Sequence, residues 1–135
     1  MVRMDRGRLW PDTLREYVQR ARPILIEVAK REALITYGEL IDRLGGGLGR
    51  GYIAEVLDQI SRTECNERRP KLSAVVVRSD TRMVGGGFFG LPQTPAAIRR
   101  STREEWQNPR LSEADRQYWQ NELQEVYRYW REHDC

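Results

Sequence analysis

The order of patterns across residues 35–90 constrains the fold of this 135-residue chain more than any other feature. Thr36 and Glu39 form a candidate capping box, in which each side chain would satisfy a backbone amide that the first turn of a helix leaves unpaired. Glycines 45–47 are predicted to end this helix, because glycine readily adopts the left-handed conformation past a C-cap. A second helix is predicted from about Gly51, with a buried stripe at helical spacing. The stripe consists of Ile53, Val56, Leu57 and Ile60.

Beyond this second helix the pattern changes from helical to extended. The helix is predicted to fray over the polar residues 62–69, and residues 72–78 (LSAVVVR) are mostly apolar and β-branched, as is typical of a buried strand. Residues 79–81 (SDT) have the composition of a turn, and Met83 and Val84 are predicted to return antiparallel. Two helices followed by such a hairpin form a winged helix-turn-helix, an arrangement common among nucleic-acid-binding proteins.

The predicted core is preceded by helical patterns. Thr13 and Glu16 form another candidate capping box, and two helices are predicted over about residues 12–22 and 23–31. The boundary between them is set at Pro23, because proline fits best at the first position of a new helix. A single kinked helix is the alternative.

After the core, glycines 85–87 are expected to bring the backbone close to another part of the chain. Residues 91–110 are polar and contain proline, and they are predicted to hold a short helix near residues 95–106. A last helix begins with a capping box of Ser112 and Asp115. Large apolar residues recur on one face of this helix, namely Trp119, Leu123, Val126 or Tyr127, and Trp130. The face is interpreted as core packing, with a partner or dimer interface as the alternative, because aromatic anchors also mark interface hot spots.

The length of the chain fits one hydrophobic core. We therefore expect a single domain, residues 1–135, of mainly α class with a small β-hairpin (α+β). Its predicted parts are N-terminal helices (10–31), a winged-helix core (32–90), a linker (91–110) and a C-terminal amphipathic helix (111–133).

Composition limits the environment in which the chain can act. The sequence is 39% apolar and 32% charged, which is typical of a soluble globular protein. No apolar run approaches the roughly 18 residues of a membrane span, and no apolar segment of a secretion signal follows the N-terminus. We expect a cytoplasmic protein that makes no membrane contact, with Cys65 and Cys135 as free thiols.

Charge alone indicates nucleic acid only weakly. The net charge is +3, and all but two of the 23 basic residues are arginine. Arginine suits phosphate and base recognition, although a GC-rich genome would produce the same bias. Because basic and acidic residues are interspersed along the chain, a DNA-binding surface requires folding to bring selected arginines together.

Residues 24–45 (ILIEVAKREALITYGELIDRLG) resemble the start of the DNA-binding domain in the alkylguanine-DNA alkyltransferases and the alkyltransferase-like proteins. The resemblance covers roughly residues 24–90, about half of the chain, and implies a winged-helix domain that binds DNA. Its further pieces are TYGE at 36–39, Arg50 before the second helix, VVRSD at 76–80 and GGF at 86–88.

The reactive motif of that family is absent. Aligning Val76 and Val77 with the paired valines of the family places Ser73 at the reactive cysteine, Ala74 at the histidine and Val75 at the arginine. Alkyl transfer needs a thiolate that a histidine activates through water, and neither cysteine lies where this motif requires it. We therefore expect a non-enzymatic protein with no catalytic residues, no metal site and no cofactor.

The resemblance also implies DNA contacts. Tyr37 matches a tyrosine that lies by the phosphate of a rotated nucleotide, and its alternative role is to cover the core at the helix start. Arg50 lies at or beside the position of an arginine that fills the gap left by a flipped base, and the alternative is a solvent-facing arginine.

The remaining candidates lie on the second helix and on the predicted wing. Tyr52 and Glu55 are predicted to face outward, where they would contact bases or backbone if this helix enters a groove. Arg78 and Arg82 lie in or next to the wing turn and could bind phosphate. The leading hypothesis is a non-enzymatic protein that binds double-stranded DNA within a repair, regulatory or defence assembly.

The alternative hypothesis is a protein-interaction subunit. Its C-terminal helix would dock on a partner or dimerise through Trp119, Leu123, Tyr127 and Trp130.

Overall fold

The computed structural model describes residues 4–5 and 8–133, and most of them are helical. The α-helices are α1 (Pro11–Lys30), α2 (Tyr37–Arg43), α3 (Arg50–Asn66), α4 (Arg103–Gln107) and α5 (Glu113–Glu132). The strands are β1 (Met4–Asp5), β2 (Arg8–Leu9), β3 (Ile35–Thr36) and β4 (Val76–Val77). Short 3-10 helices cover Leu72–Val75, Gly86–Gly90 and Ala96–Ile98. The expectation of a mainly helical fold with few strands is therefore confirmed.

Helix α1 is one continuous helix where two were predicted, as in the alternative interpretation. The predicted capping box at Thr13 is wrong, because the helix begins at Pro11, whose missing N–H removes no hydrogen bond in the first turn. Pro23 lies inside the helix, and both it and Gln19 are exposed. The backbone carbonyl of Gln19, four residues earlier, therefore loses its helical partner on the solvent side.

Helix α2 begins and ends as the sequence predicts. The amide of Glu39 donates to Thr36 Oγ1 at 3.1 Å, and the amide of Thr36 donates to the Glu39 carboxylate at 2.9 Å. At the other end, Gly45 and Gly46 have φ angles of +100° and +79°. The amide of Gly46 donates to the carbonyl of Ile41, which completes a Schellman motif.

Helix α3 buries the predicted stripe, but the prediction that it frays from Arg62 onward is wrong. The helix continues to Asn66 because the last turns are held by a buried carboxylate. Glu64 is fully buried, and it is ion-paired to Arg22 of α1 at 2.6 Å and to Arg69.

The predicted antiparallel hairpin over residues 72–84 does not form. Leu72–Val75 is a 3-10 helix, and β4 pairs with β3 in parallel, with Ile35 opposite Val76. Residues 83–84 are not a strand, and the turn that precedes them is closed by a hydrogen bond from the Arg78 amide to the Met83 carbonyl at 2.9 Å.

Side chains from two helices take the place of the expected strand partner. The amide of Ser73 donates to Ser61 Oγ at 3.2 Å, and Trp119 Nε1 donates to the Ala74 carbonyl at 2.8 Å. Because buried backbone groups must be paired, these contacts allow residues 72–75 to cross the core without a β-ladder.

The segment after this crossing is more structured than a linker. The helix predicted near residues 95–106 is divided into Ala96–Ile98 and α4. Helix α4 begins at a capping box of Thr102 and Glu105, which the sequence reading did not identify.

Helix α5 turns its apolar face inward, as the core interpretation predicts. Trp119, Leu123, Tyr127 and Trp130 are each at most 8% exposed and belong to the same core cluster as α1, α3 and residues 72–77. These four side chains therefore pack in the core of the chain, and an interface with a partner or a second copy through this helix stays a prediction.

Two smaller expectations concern cysteine and the membrane. Cys65 is a free, buried thiol, and Cys135 lies outside the described residues. Among the helices that the structure describes, none combines the length and apolar character needed to cross a bilayer.

Candidate nucleic-acid interface

The pairing of β3 with β4 generates the candidate site. Thr36 lies opposite Val77 in a parallel register, so the next residues of the two strands, Tyr37 and Arg78, leave the sheet at the same edge. Parallel pairing thereby brings together two residues that the sequence places far apart.

Tyr37 is the first residue of α2, and its hydroxyl lies against the backbone of Gly85. A β-carbon at Gly85 would lie 3.0 Å from this oxygen, so a side chain at that position would crowd it. Burial raises the pKa of Tyr37, while the hydrogen bond from the Gly85 backbone and the charges of Arg78 and Arg50 lower it. The Tyr37 hydroxyl is therefore neutral at physiological pH and can donate a hydrogen bond.

Arg50 reaches the same ring from a third segment. It is the first residue of α3, directly after the glycine-rich turn that follows α2. Its guanidinium carbon lies 6.0 Å from the centroid of the Tyr37 ring, at the outer limit of a cation–π contact.

Arg78 and Arg82 lie at the two ends of a tight turn. The Arg78 guanidinium makes two hydrogen bonds to Asp80, at 3.0 and 2.8 Å, and this pair lowers the pKa of the Asp80 carboxyl. The amide of Arg82 donates to the Arg78 carbonyl at 2.9 Å, and Arg82 has a φ of +58°. The pKa of Glu39 is lowered mainly by hydrogen bonds from the backbone and the side chain of Thr36, and the positive charge of Arg82 lowers it further.

The other two predicted contacts are placed differently. Glu55 is half-buried and accepts a hydrogen bond from the Leu9 amide at 3.3 Å, so strand β2 covers this part of α3. Glu55 therefore does not lie on an open groove-facing surface, contrary to prediction. Tyr52 is half-buried beside Gly49 at the start of α3.

The structure thus brings Tyr37, Arg50 and Arg78 together, with Arg82 on the adjoining turn. Within the described residues, neither Arg50 nor Arg82 forms an ion pair with a carboxylate. Guanidinium groups that are exposed and not neutralised are suited to phosphate oxygens. Arg50 and Arg82 therefore have the chemistry needed to bind a phosphate, whereas Arg78 is already paired with Asp80.

The position aligned with the family nucleophile is packed in the core. Ser73 is 8% exposed, and its hydroxyl accepts a hydrogen bond from Ser61 at 2.7 Å. In the part of the chain that the structure describes, no three His, Cys, Asp or Glu side chains group as metal ligands would.

Comparisons with protein-family models, with curated proteins and with solved structures give no match for this chain.

Sequence reasoning found the arginines and Tyr37 but missed the contact that positions the tyrosine. Three consecutive glycines at 85–87 indicated a close backbone approach, but nothing local indicated that Tyr37 lies against Gly85. Exposed Trp106, on the segment predicted to be a linker, was also missed.

Proposed function

We propose that this protein binds double-stranded DNA without chemical conversion, through a surface formed by Tyr37, Arg50, Arg78 and Arg82. The observation that carries the proposal is that Arg50 lies 6.0 Å from the centroid of the Tyr37 ring, while the charge of Arg78, from a separate segment, lowers the pKa of the same side chain. Contacts of this type position a protein on the DNA backbone and carry no base sequence by themselves. A role in a repair, regulatory or defence assembly remains part of the proposal.

The resemblance to the alkyltransferase DNA-binding domain supports the proposal on the same residues. In this interpretation α2 and α3 form the helix-turn-helix, and the turn at residues 78–83 replaces a longer wing. The absence of a cysteine, a histidine and an arginine at positions 73–75 is consistent with binding that involves no alkyl transfer.

Fluorescence anisotropy with a labelled duplex tests the proposal. We expect wild-type affinity to fall as salt rises, because phosphate neutralisation releases counterions. The double variant Arg50→Ala/Arg78→Ala should bind roughly tenfold or more weakly and reduce the slope of log K against log salt by about two, one for each lost phosphate contact.

The matched control is Arg15→Ala/Arg128→Ala. These arginines are exposed on α1 and α5, and each is paired with a nearby carboxylate, as Arg78 is with Asp80. The control removes the same net charge and should keep most of the affinity and the salt slope. Equal losses of DNA affinity in the two double variants, or no loss of affinity in either, would contradict the proposed surface.

A further inference from the structure

The segment between Ala96–Ile98 and α5 is mostly exposed, yet it is fixed to the rest of the fold at its centre. Arg100 donates from its guanidinium to the carbonyls of Glu105 at 2.7 Å, Asn108 at 2.6 Å and Arg110 at 2.6 Å. It also reaches the Asp115 carboxylate of α5 at 3.4 Å. One arginine therefore holds α4 and the chain on both sides of it in place.

Trp106 is positioned by the same segment but remains open to solvent. Its indole Nε1 donates to the Arg100 carbonyl at 2.8 Å, and a β-carbon at Gly90 would lie 2.6 Å from that nitrogen. Even so, 44% of the tryptophan is exposed. An indole ring that is held in place and open to solvent can stack on a planar ligand.

This tryptophan adjoins the proposed DNA surface. The backbone of α4 at Trp106 packs directly on Gly86, while the preceding residue, Gly85, contacts the hydroxyl of Tyr37. The two aromatic residues therefore lie against consecutive glycines of one turn.

The net charge of the segment around Trp106 favours a polyanion, because residues 99–110 contain four arginines and two glutamates, Glu104 and Glu105. Arg103 lies three residues earlier, on the same face of α4. Within the described residues neither Arg103 nor Arg110 makes an ion pair with a carboxylate. The carboxylate of Glu105 is occupied by the amides of Ser101 and Thr102, at 3.0 Å each.

We propose that the exposed face of Trp106 stacks on an unpaired base of a DNA strand that continues from the bound duplex, with Arg103 binding an adjacent phosphate. Aromatic side chains bind bases in this way because every base has a π-face, and arginines beside them follow the backbone. The inference rests on the proposed duplex binding and makes the ligand a junction of double- and single-stranded DNA.

The test compares two labelled DNAs, a blunt duplex and the same duplex with a single-stranded thymidine tail. Wild-type protein should bind the tailed DNA about five- to tenfold more tightly than the blunt one, as expected for one stacked base. Trp106→Ala should remove this preference, Trp106→Phe should keep most of it, and Arg103→Ala should reduce it. The matched control is Trp10→Ala, since Trp10 is equally exposed, at 43%, and lies at the start of α1.

The outcomes separate this inference from the proposed function. No preference for the tail in the wild type, or a preference that Trp106→Ala leaves intact, overturns the inference while duplex binding through Arg50 and Arg78 stands. A tail preference that depends on Trp106 while Arg50→Ala/Arg78→Ala changes nothing overturns the duplex surface alone. If Trp106→Ala does not fold, as judged by circular dichroism, Arg103→Ala decides, and an unchanged preference in that variant overturns the inference.

Discussion

Tyr37 connects the parts of the proposed interface at the scale of a single residue. Its backbone begins α2, its ring faces Arg50, and its hydroxyl lies on Gly85. Because burial is the largest influence on its pKa and raises it, deprotonation is unfavourable in the folded chain. Both the structural and the proposed binding role depend on the neutral hydroxyl.

The raised pKa of Tyr37 predicts a loss of stability at alkaline pH. An acid with a higher pKa in the folded state contributes stability that is present below the unfolded value, here 10.0, and is lost as pH rises through the folded value. Tyr127 acts in the same direction, since burial also raises its pKa. Urea unfolding measured between about pH 9 and pH 11 should show a falling free energy of unfolding.

The variants Tyr37→Phe and Tyr127→Phe isolate this effect. In each variant the free energy of unfolding should fall less steeply across the same pH range. In the double variant it should depend on pH less than in either single variant. An unchanged pH slope in the double variant would show that the two hydroxyls do not titrate late in the folded chain.

Glu64 is the second residue with a large expected effect. Its carboxylate is fully buried between Arg22 and Arg69, whose side chains are 34% and 23% exposed. Glu64→Gln should lower the free energy of unfolding by about 3 kcal/mol in urea denaturation, because removing one partner leaves the others incompletely paired. Partial solvation of the arginines places the effect at the low end of the usual range for broken buried pairs.

The control for this variant is Glu125→Gln. Glu125 pairs with Arg128 on the surface of α5, where it is 53% exposed. Exposed pairs contribute little, so this variant should unfold like the wild type. If Glu64→Gln and Glu125→Gln lowered the free energy of unfolding by similar amounts, the buried carboxylate would not contribute more to stability than an exposed one.

Glu64 also illustrates why one residue-level prediction was wrong. In the sequence it lies within the polar run 62–69, a pattern that indicates a solvated, fraying helix end. Its partner Arg22 is 42 residues away. Only the packing of α1 against α3 shows that this acid is neutralised inside the core.

At the scale of elements, local signals predicted the starts of α2 and α5 and failed on strand partners. The capping boxes at Thr36 and Ser112 are formed by residues three positions apart, whereas the one predicted at Thr13 is not, because α1 begins earlier, at Pro11. The prediction for residues 72–78 failed because β-branched composition indicates burial more than strand pairing. Their hydrogen bonds come from Ser61 and Trp119, which no local pattern can reveal.

The contact between Gly86 and α4 leads to a prediction at the scale of elements. A β-carbon at Gly86 would clash with the backbone carbonyl of Trp106 and with Arg100. Gly86→Ala should therefore displace α4, lower the free energy of unfolding by about 1–3 kcal/mol, and increase proteolytic cleavage within residues 99–110.

The neighbouring glycine provides the control. A β-carbon at Gly87 would meet no atom within 4 Å, and no positive φ is found there. Gly87→Ala should leave both stability and the cleavage pattern near those of the wild type. If proteases cleaved residues 99–110 equally slowly in the two variants, the tight packing of α4 on Gly86 would be contradicted.

At the scale of the whole molecule, residues 71–77 are the centre around which the helices pack. Helix α5 supplies several of their contacts: the Lys71 amide donates to Glu122 at 3.0 Å, and Lys71 Nζ donates to Tyr118 at 2.6 Å. From farther along α5, Tyr127 donates to the Ala33 carbonyl at 2.7 Å. The C-terminal helix is therefore part of the same core as the proposed DNA site.

This placement predicts that α5 cannot be altered on its inner face without loss of the fold. Trp119 is 5% exposed and donates to the Ala74 carbonyl. Trp119→Ala should lower the free energy of unfolding by about 3–5 kcal/mol in urea denaturation, because it opens a cavity and leaves a buried carbonyl unpaired. Affinity for DNA should fall together with the folded fraction, since β4 and Arg78 follow the same segment.

Exposed Gln120 and Gln124 provide the control, and their replacement by alanine should change neither the free energy of unfolding nor the affinity for DNA. A stable Trp119→Ala protein that keeps its DNA affinity and changes only its size-exclusion profile would instead identify α5 as a separate docking helix.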